Sequence, residues 1–180
     1  MTDSSLSIER ATRDDLPAVR SLAEIIWHRH YPGIVTEAQI DYMLERGYSP
    51  SALTAFIAEE GAGLLLARDN GSLIGFGAYY ATDDMTEMKV DKLYLLPEYH
   101  GKGVGHAILE HIGEIARAAG FTTLILNVNK QNKVALRAYE RNGFRIREAV
   151  VNDIGNGFMM DDFVMEKTLP SITAGAPDSA

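Results

Sequence analysis

The sequence predicts a mixed α/β sandwich in which antiparallel hairpins stand beside one parallel crossover. Three observations predict it. Apolar residues recur at helical spacing in the first third of the chain and give way to short β-rich runs after residue 60. Asp69-Asn70-Gly71 divides two of those runs as a hairpin turn, since Asn and Gly tolerate positive φ. A glycine-rich turn, Gly101 to Gly105, then joins a strand to a helix, and strand, helix and two strands follow.

The elements follow in order. Leu6 to Ala11 alternates weakly and reads as an edge strand. Thr12 followed by Asp15 marks a helix start, with carboxylates at the positive helix end. Leu16, Val19, Leu22, Ile25 and Ile26 carry that helix to about His30, and Pro32-Gly33 breaks it. Thr36 begins a second helix with Ile40, Met43 and Leu44 on one face and Gly47 as its stop signal. Ser49-Pro50-Ser51 starts a short third helix through Ala58. Gly63 to Arg68 and Leu73 to Ala81 form a hairpin, and Met88 to Leu96 is the next strand, ended by Pro97. A helix from Val104 to Ala119 ends at Gly120, and Thr122 to Val128 is β-rich. Gln131 to Asn142 reads as a helix closed by Gly143. Phe144 to Val151 and Phe158 to Thr168 are a closing pair of strands. Residues 1–169 make one domain, and the Ser-, Ala-, Gly- and Pro-rich residues 170–180 a loose tail.

Composition excludes several classes. The 180 residues hold no cysteine, which removes disulfides, thiolate zinc sites and an acyl-Cys intermediate. A formal charge of −8 argues against a nucleic-acid partner and suits cationic substrates. No apolar run is long enough to cross a bilayer, and Met1 to Ser5 lacks a signal peptide's basic start, so a cytoplasmic location without a membrane partner is expected. The histidines show no metal-ligand spacing, and no metal is expected: His28 and His30 point to different helix faces.

The most informative stretch is Leu93-Tyr94-Leu95-Leu96-Pro97-Glu98-Tyr99-His100-Gly101-Lys102-Gly103-Val104-Gly105. Three glycines at alternate positions let backbone N–H groups converge on a ligand at a helix N-terminus, and Lys102 adds a cation. That chemistry invites a phosphate or pyrophosphate. A P-loop would end in Gly-Lys-Ser/Thr, but His106 follows Gly105. A dinucleotide fingerprint would read G-x-G-x-x-G, whereas this run reads G-x-G-x-G. A tight turn with glycines serving packing is the bland alternative. Downstream, Asn132 stands at a helix start, where its amide can cap the helix or reach a ligand. Tyr139 is two turns on, along the same face.

Together the two stretches resemble the GNAT superfamily of acetyl-CoA-dependent N-acyltransferases. The superfamily's pyrophosphate loop, Gln/Arg-x-x-Gly-x-Gly/Ala, is matched by His100-Gly101-Lys102-Gly103-Val104-Gly105, with His100 departing from the usual Gln or Arg. The later pattern Asn-x-x-Ala-x-x-x-Tyr-x-x-x-Gly-Phe is met by Asn132, Ala135, Tyr139, Gly143 and Phe144. The resemblance implies a GNAT-like, mostly antiparallel sheet with a splayed central parallel strand pair, Met88–Leu96 and Thr122–Val128, flanked by helices on both faces. It also implies that the pantetheine arm of acetyl-CoA inserts between those strands and pairs with the backbone of Tyr94 and Leu95. The loop from His100 through Gly101, Lys102, Gly103 and Val104 to Gly105 would hold the pyrophosphate. Asn132 would contact the CoA arm, and Tyr139 would protonate the departing thiolate. A small-molecule amine then attacks the thioester directly. Asp91 and Glu24 are candidates for the base, beside ordered water.

For the acceptor, Asp83, Asp84 and Glu87, then Asp161 and Asp162, supply carboxylates, and Trp27, Tyr31 and Tyr42 supply aromatic walls. Such a set suits a polycation, although solvated turn acids and core aromatics explain each residue singly. Trp27–Tyr31, Thr36–Leu44 and Ile154–Phe163 resemble the matching segments of bacterial polyamine N-acetyltransferases. Spermidine or spermine is therefore the leading acceptor. A protein N-terminus or lysine, an aminoglycoside, a silent acyl-CoA sensor and an ATP-binding protein stay open, as does a homodimer.

Overall fold

The computed structural model describes residues 5–171, so most of the expected tail, 170–180, lies outside the described residues. Strands β1 (Leu6–Arg10), β2 (Ala62–Asp69), β3 (Ser72–Ala81), β4 (Glu87–Leu95), β5 (Thr123–Asn129), β6 (Arg145–Gly155) and β7 (Phe158–Thr168) form one sheet in the order β1-β2-β3-β4-β5-β7-β6. Every neighbouring pair is antiparallel except β4 and β5, which run parallel. Helices α1 (Leu16–His30), α2 (Glu37–Tyr48) and α3 (Pro50–Ala58) precede β2, while α4 (Val104–Ala118) and α5 (Lys133–Arg141) flank β5 in sequence.

Period-two alternation divides the core between the two sheet faces. Leu64, Leu66, Phe76 and Ala78 pack with α1, α2 and α3 through Val19, Ile26, Ile40, Leu44 and Leu53. Leu65, Ala67, Tyr79, Met88 and Val90 pack with α4 and α5 through Ile108, Leu109, Ile112 and Leu136. Covering both faces explains why β2 reads as a continuous apolar run rather than an alternating one. The expected mixed sheet, with helices on both sides and one parallel pair, is the architecture found.

Most boundaries fall within two residues of expectation, and two of the differences bear on the cleft. Gly47 does not stop α2, which runs on through Tyr48. Ser49 ends it by turning extended, and its side chain caps α3 instead, accepting from the Ala52 N–H at 3.3 Å. A Cβ at Gly47 would lie 3.4 Å from Lys92 Nζ, an ordinary contact distance. Strand β6 extends four residues past Val151 to Gly155. Asn156 (φ 54°) and Gly157 (φ 79°) form a two-residue turn that lets Gly155 pair with Phe158. The tip of that hairpin docks on α2: Tyr42 Oη donates to the Ile154 carbonyl at 2.7 Å, Arg46 donates to the same oxygen, and Gln39 donates to the Met159 carbonyl at 3.1 Å.

Candidate active site

A β-bulge opens the sheet. Ala78 pairs with Lys92 and Tyr79 with Val90, so Asp91 is the extra residue of β4. A bulge bends its strand, and the bend has a consequence on the other edge. Strand β4 pairs with β5 only from Glu87 to Lys89, opposite Thr123 to Ile125. Beyond Lys89 the parallel strands part. The cleft between them has a volume of about 800 Å³ and is walled by β4 from Val90 to Leu95 and by β5 from Leu126 to Asn129.

The glycine turn closes one end of this cleft. Gly101 (φ 73°) and Gly103 (φ 82°) adopt the left-handed conformation that disfavours side chains, and a Cβ at either would meet nothing within 4 Å. Gly103 is the N-cap of α4. The first amides of the helix, from Val104 onward, have no acceptor within it, and Gly101, Gly103, Gly105 and His106 line the cleft. The turn is therefore a backbone N–H cradle at a positive helix end, the arrangement a diphosphate fits. His100 also lines the cleft, with Nε2 3.3 Å from the Leu95 carbonyl oxygen. Lys102 turns away instead: its Nζ lies over the Tyr99 ring, 5.1 Å from the centroid. Val104 points its side chain into the core.

Helix α5 forms the opposite wall. The Asn132 side chain accepts from the Ala135 N–H at 3.2 Å, so it is the N-cap, and it also lines the cleft. Both readings of Asn132 thus meet in one residue. Tyr139 packs edge-on against Phe144, with ring centroids 5.7 Å apart, and faces the cleft. No described residue hydrogen-bonds its Oη. Burial, aided by the Tyr31 hydroxyl, raises its pKa well above the usual phenol value. The phenol holds its proton at neutral pH.

The far end of the cleft lies among α1, α2 and the β6–β7 hairpin. Trp27 stacks on Tyr31 at 4.3 Å, and the Tyr31 and Tyr94 hydroxyls lie 3.4 Å apart. His30 joins them, beside Asn132, and burial lowers its pKa, so its ring is neutral. Lys92 is buried here, with Nζ 2.9 Å from Asp91 Oδ2 and 4.6 Å from the Tyr48 ring centroid. The bulge brings these two consecutive side chains together. Asp162 lines the same end and is only 6% exposed.

The structure sorts the sequence-derived candidates. Tyr94, Leu95, His100, Gly101, Gly103, Gly105, Asn132 and Tyr139 line one cleft, and Asp91, Trp27, Tyr31 and Asp162 line it with them. Glu24 does not; it pairs with Arg20 on the exposed face of α1. Asp84 accepts from the Thr86 N–H at 2.8 Å in a turn away from the cleft, and Glu87 pairs with Arg147. Asp161 pairs with Lys130. Tyr42 supports the hairpin rather than the cavity. Sequence reading passed over His30 and Lys92. His30 is one helical turn from Trp27, a spacing that could have placed it on the same face. Nothing in the sequence marks the bulge that exposes Lys92 to the cleft.

Comparison with known proteins meets this geometry. Residues 20–144 match the profile of the acetyltransferase (GNAT) family, a span that holds the glycine turn, Asn132 and Tyr139. The chain is 29% identical over 171 residues to the spermidine N(1)-acetyltransferase of Thermoplasma acidophilum, an alignment covering 93% of this chain and 99% of the relative. It is 28% identical over 138 residues to an uncharacterized N-acetyltransferase of Mycobacterium bovis, covering 77% of this chain and 87% of that one. Among solved structures, the PaiA N-acetyltransferase of Thermoplasma acidophilum in complex with coenzyme A superposes with a TM-score of 0.77 at 27% identity. That superposition covers 91% of this chain and 99% of the other.

Proposed function

The chain belongs to the acetyltransferase (GNAT) family, and from that membership we propose that the amine it acetylates is a polyamine such as spermidine or spermine. It is an N-acetyltransferase that uses acetyl-CoA as donor. The observation that carries the acceptor reading is the end-to-end similarity to a relative named for spermidine acetylation, 93% of this chain against 99% of that one. The walls of the cleft agree with it, since Trp27, Tyr31 and Tyr94 supply aromatic faces and Asp162 a carboxylate. The same reading takes residues 1–169 as one catalytic unit and puts it in the cytoplasm.

The residues present fit the donor. Bound acetyl-CoA supplies the acetyl group as a thioester, whose carbonyl carbon is the electrophile. The amides that open α4 would hold its diphosphate, and the open β4 edge at Tyr94 and Leu95 would hold its pantetheine arm. Asn132 and His100 would flank that arm. Lys102, stacked on Tyr99, would contribute through its backbone. Tyr139 keeps at Oη the proton that a departing thiolate takes, and a positioned acid of this kind contributes about 10²–10⁴-fold. The chain has no cysteine, so no acyl-Cys can form, which agrees with direct attack of the amine on the donor.

Thiol release from acetyl-CoA, measured across a panel of amines, tests the acceptor. Spermidine and spermine should turn over at a kcat/KM at least about tenfold above a lysine peptide, an N-terminal peptide and an aminoglycoside. Preference for a peptide or an aminoglycoside would overturn the polyamine reading, as would tight binding of coenzyme A with no turnover on any amine.

A further inference from the structure

Asp162 is a carboxylate whose place in the fold the donor does not explain. It sits on β7 opposite Asn129 of β5 and Val150 of β6. Its residue is 94% buried, yet it borders the cleft, and its Oδ1 is a buried oxygen with no hydrogen-bond partner among the described residues. The other acids nearby are paired: Asp91 with Lys92 and Asp161 with Lys130. A buried acceptor without a donor is costly, and such groups are normally satisfied. The unpaired oxygen belongs to a residue of the cleft wall, and rotation of the carboxylate about its last side-chain torsion turns an unpaired acceptor towards a substrate N–H.

We propose that Asp162 is the group that binds the acceptor amine and takes its proton. The proton passes from the ammonium nitrogen to the Asp162 carboxylate, and the freed nitrogen lone pair becomes the nucleophile. The resulting carboxylic acid returns the proton to solvent between turnovers. Tyr31, just after α1, faces the carboxyl, as do Lys89 of β4, Asn127 of β5, Lys130 beyond β5 and Asp161 of β7. Burial raises the carboxyl's pKa above the usual aspartate range, opposed by the Asn127 amide and the two lysines. A raised proton affinity suits a base that must accept a proton near neutral pH. The inference rests on an amine acceptor but not on which amine.

Asp162→Asn keeps the shape and removes the proton acceptor. With whichever amine the wild type prefers, kcat/KM should fall by about 10²-fold at pH 7. The deficit should shrink towards pH 10, where the amine ionises less and needs no base. An equal loss at every pH would mean that Asp162 only supports the fold, and a loss under about threefold at pH 7 would exclude it as the base; either result overturns the proposal. A preference for a non-polyamine acceptor would overturn the acceptor reading alone, because the same pH test then runs on that amine. A second readout needs neither turnover nor the variant. In the wild-type complex with coenzyme A, the Asp162 carboxyl carbon, assigned by NMR, should titrate above the other aspartates and shift when the amine is added. A resonance indifferent to the amine overturns the proposal even if Asp162→Asn fails to fold.

Discussion

At Tyr139, burial disfavours the phenolate, so the proton stays on Oη through the working pH range. Tyr139→Phe removes that proton and keeps the ring that packs on Phe144. We expect kcat to fall by about 10²-fold while the Kd for coenzyme A, read by calorimetry, moves less than about twofold. A raised phenol pKa also puts an alkaline limb set by Tyr139 above the ordinary value of 10.0. Tyr139 was legible in the sequence because seven residues from Asn132 is two helical turns, which fixes a shared face without knowledge of the fold. Asp162 was not. Alternation along a strand says that Asp161 and Asp162 point to opposite faces. It does not say that Lys130 will meet one while the other is buried beside the cleft.

Among the elements, β4 decides whether the cleft exists. Its bulge at Asp91 ends the parallel pairing after Lys89. Gly75 of β3 lies against the far end of the same strand: a Cβ there would stand 2.2 Å from Leu95 Cδ2 and 2.7 Å from the Tyr94 carbonyl oxygen. Gly75→Ala therefore pushes on the segment that borders the cleft. Overpacking of this kind costs about 1–3 kcal/mol. At about 2–4 °C per kcal/mol for a chain of this size, scanning calorimetry should show Tm falling by several degrees. The KM for acetyl-CoA should rise as well, which a purely global destabilisation would not produce at temperatures where the variant is folded. Helix and strand positions were largely legible, because each carries its own periodicity or turn residues. The register was not, since a bulge depends on how β3 and β4 match across the sheet. The end of α2 does not fall at its glycine either, because Ser49 ends it by turning extended.

For the whole molecule, a formal charge of −8 should draw a polycation towards the cleft. Raising salt from about 0.05 M to about 0.5 M shortens the screening length and should lower kcat/KM for spermidine by about tenfold, with kcat at saturation nearly unchanged. A stopped-assay series in sodium chloride checks this, and a flat response would remove long-range steering from the account. Taken by itself, the sequence determined the mixed α/β class, the glycine cradle, the Asn132–Tyr139 face and the family resemblance. All of these are local or short-range patterns, written by backbone sterics and helical period. Only the tertiary structure decided that β4 and β5 part after three paired residues, that Lys92 is held by Asp91 and Tyr48, and that Asp162 keeps an oxygen without a partner. Those facts depend on which groups meet across long stretches of chain, and burial and pairing are properties of that meeting rather than of any residue alone.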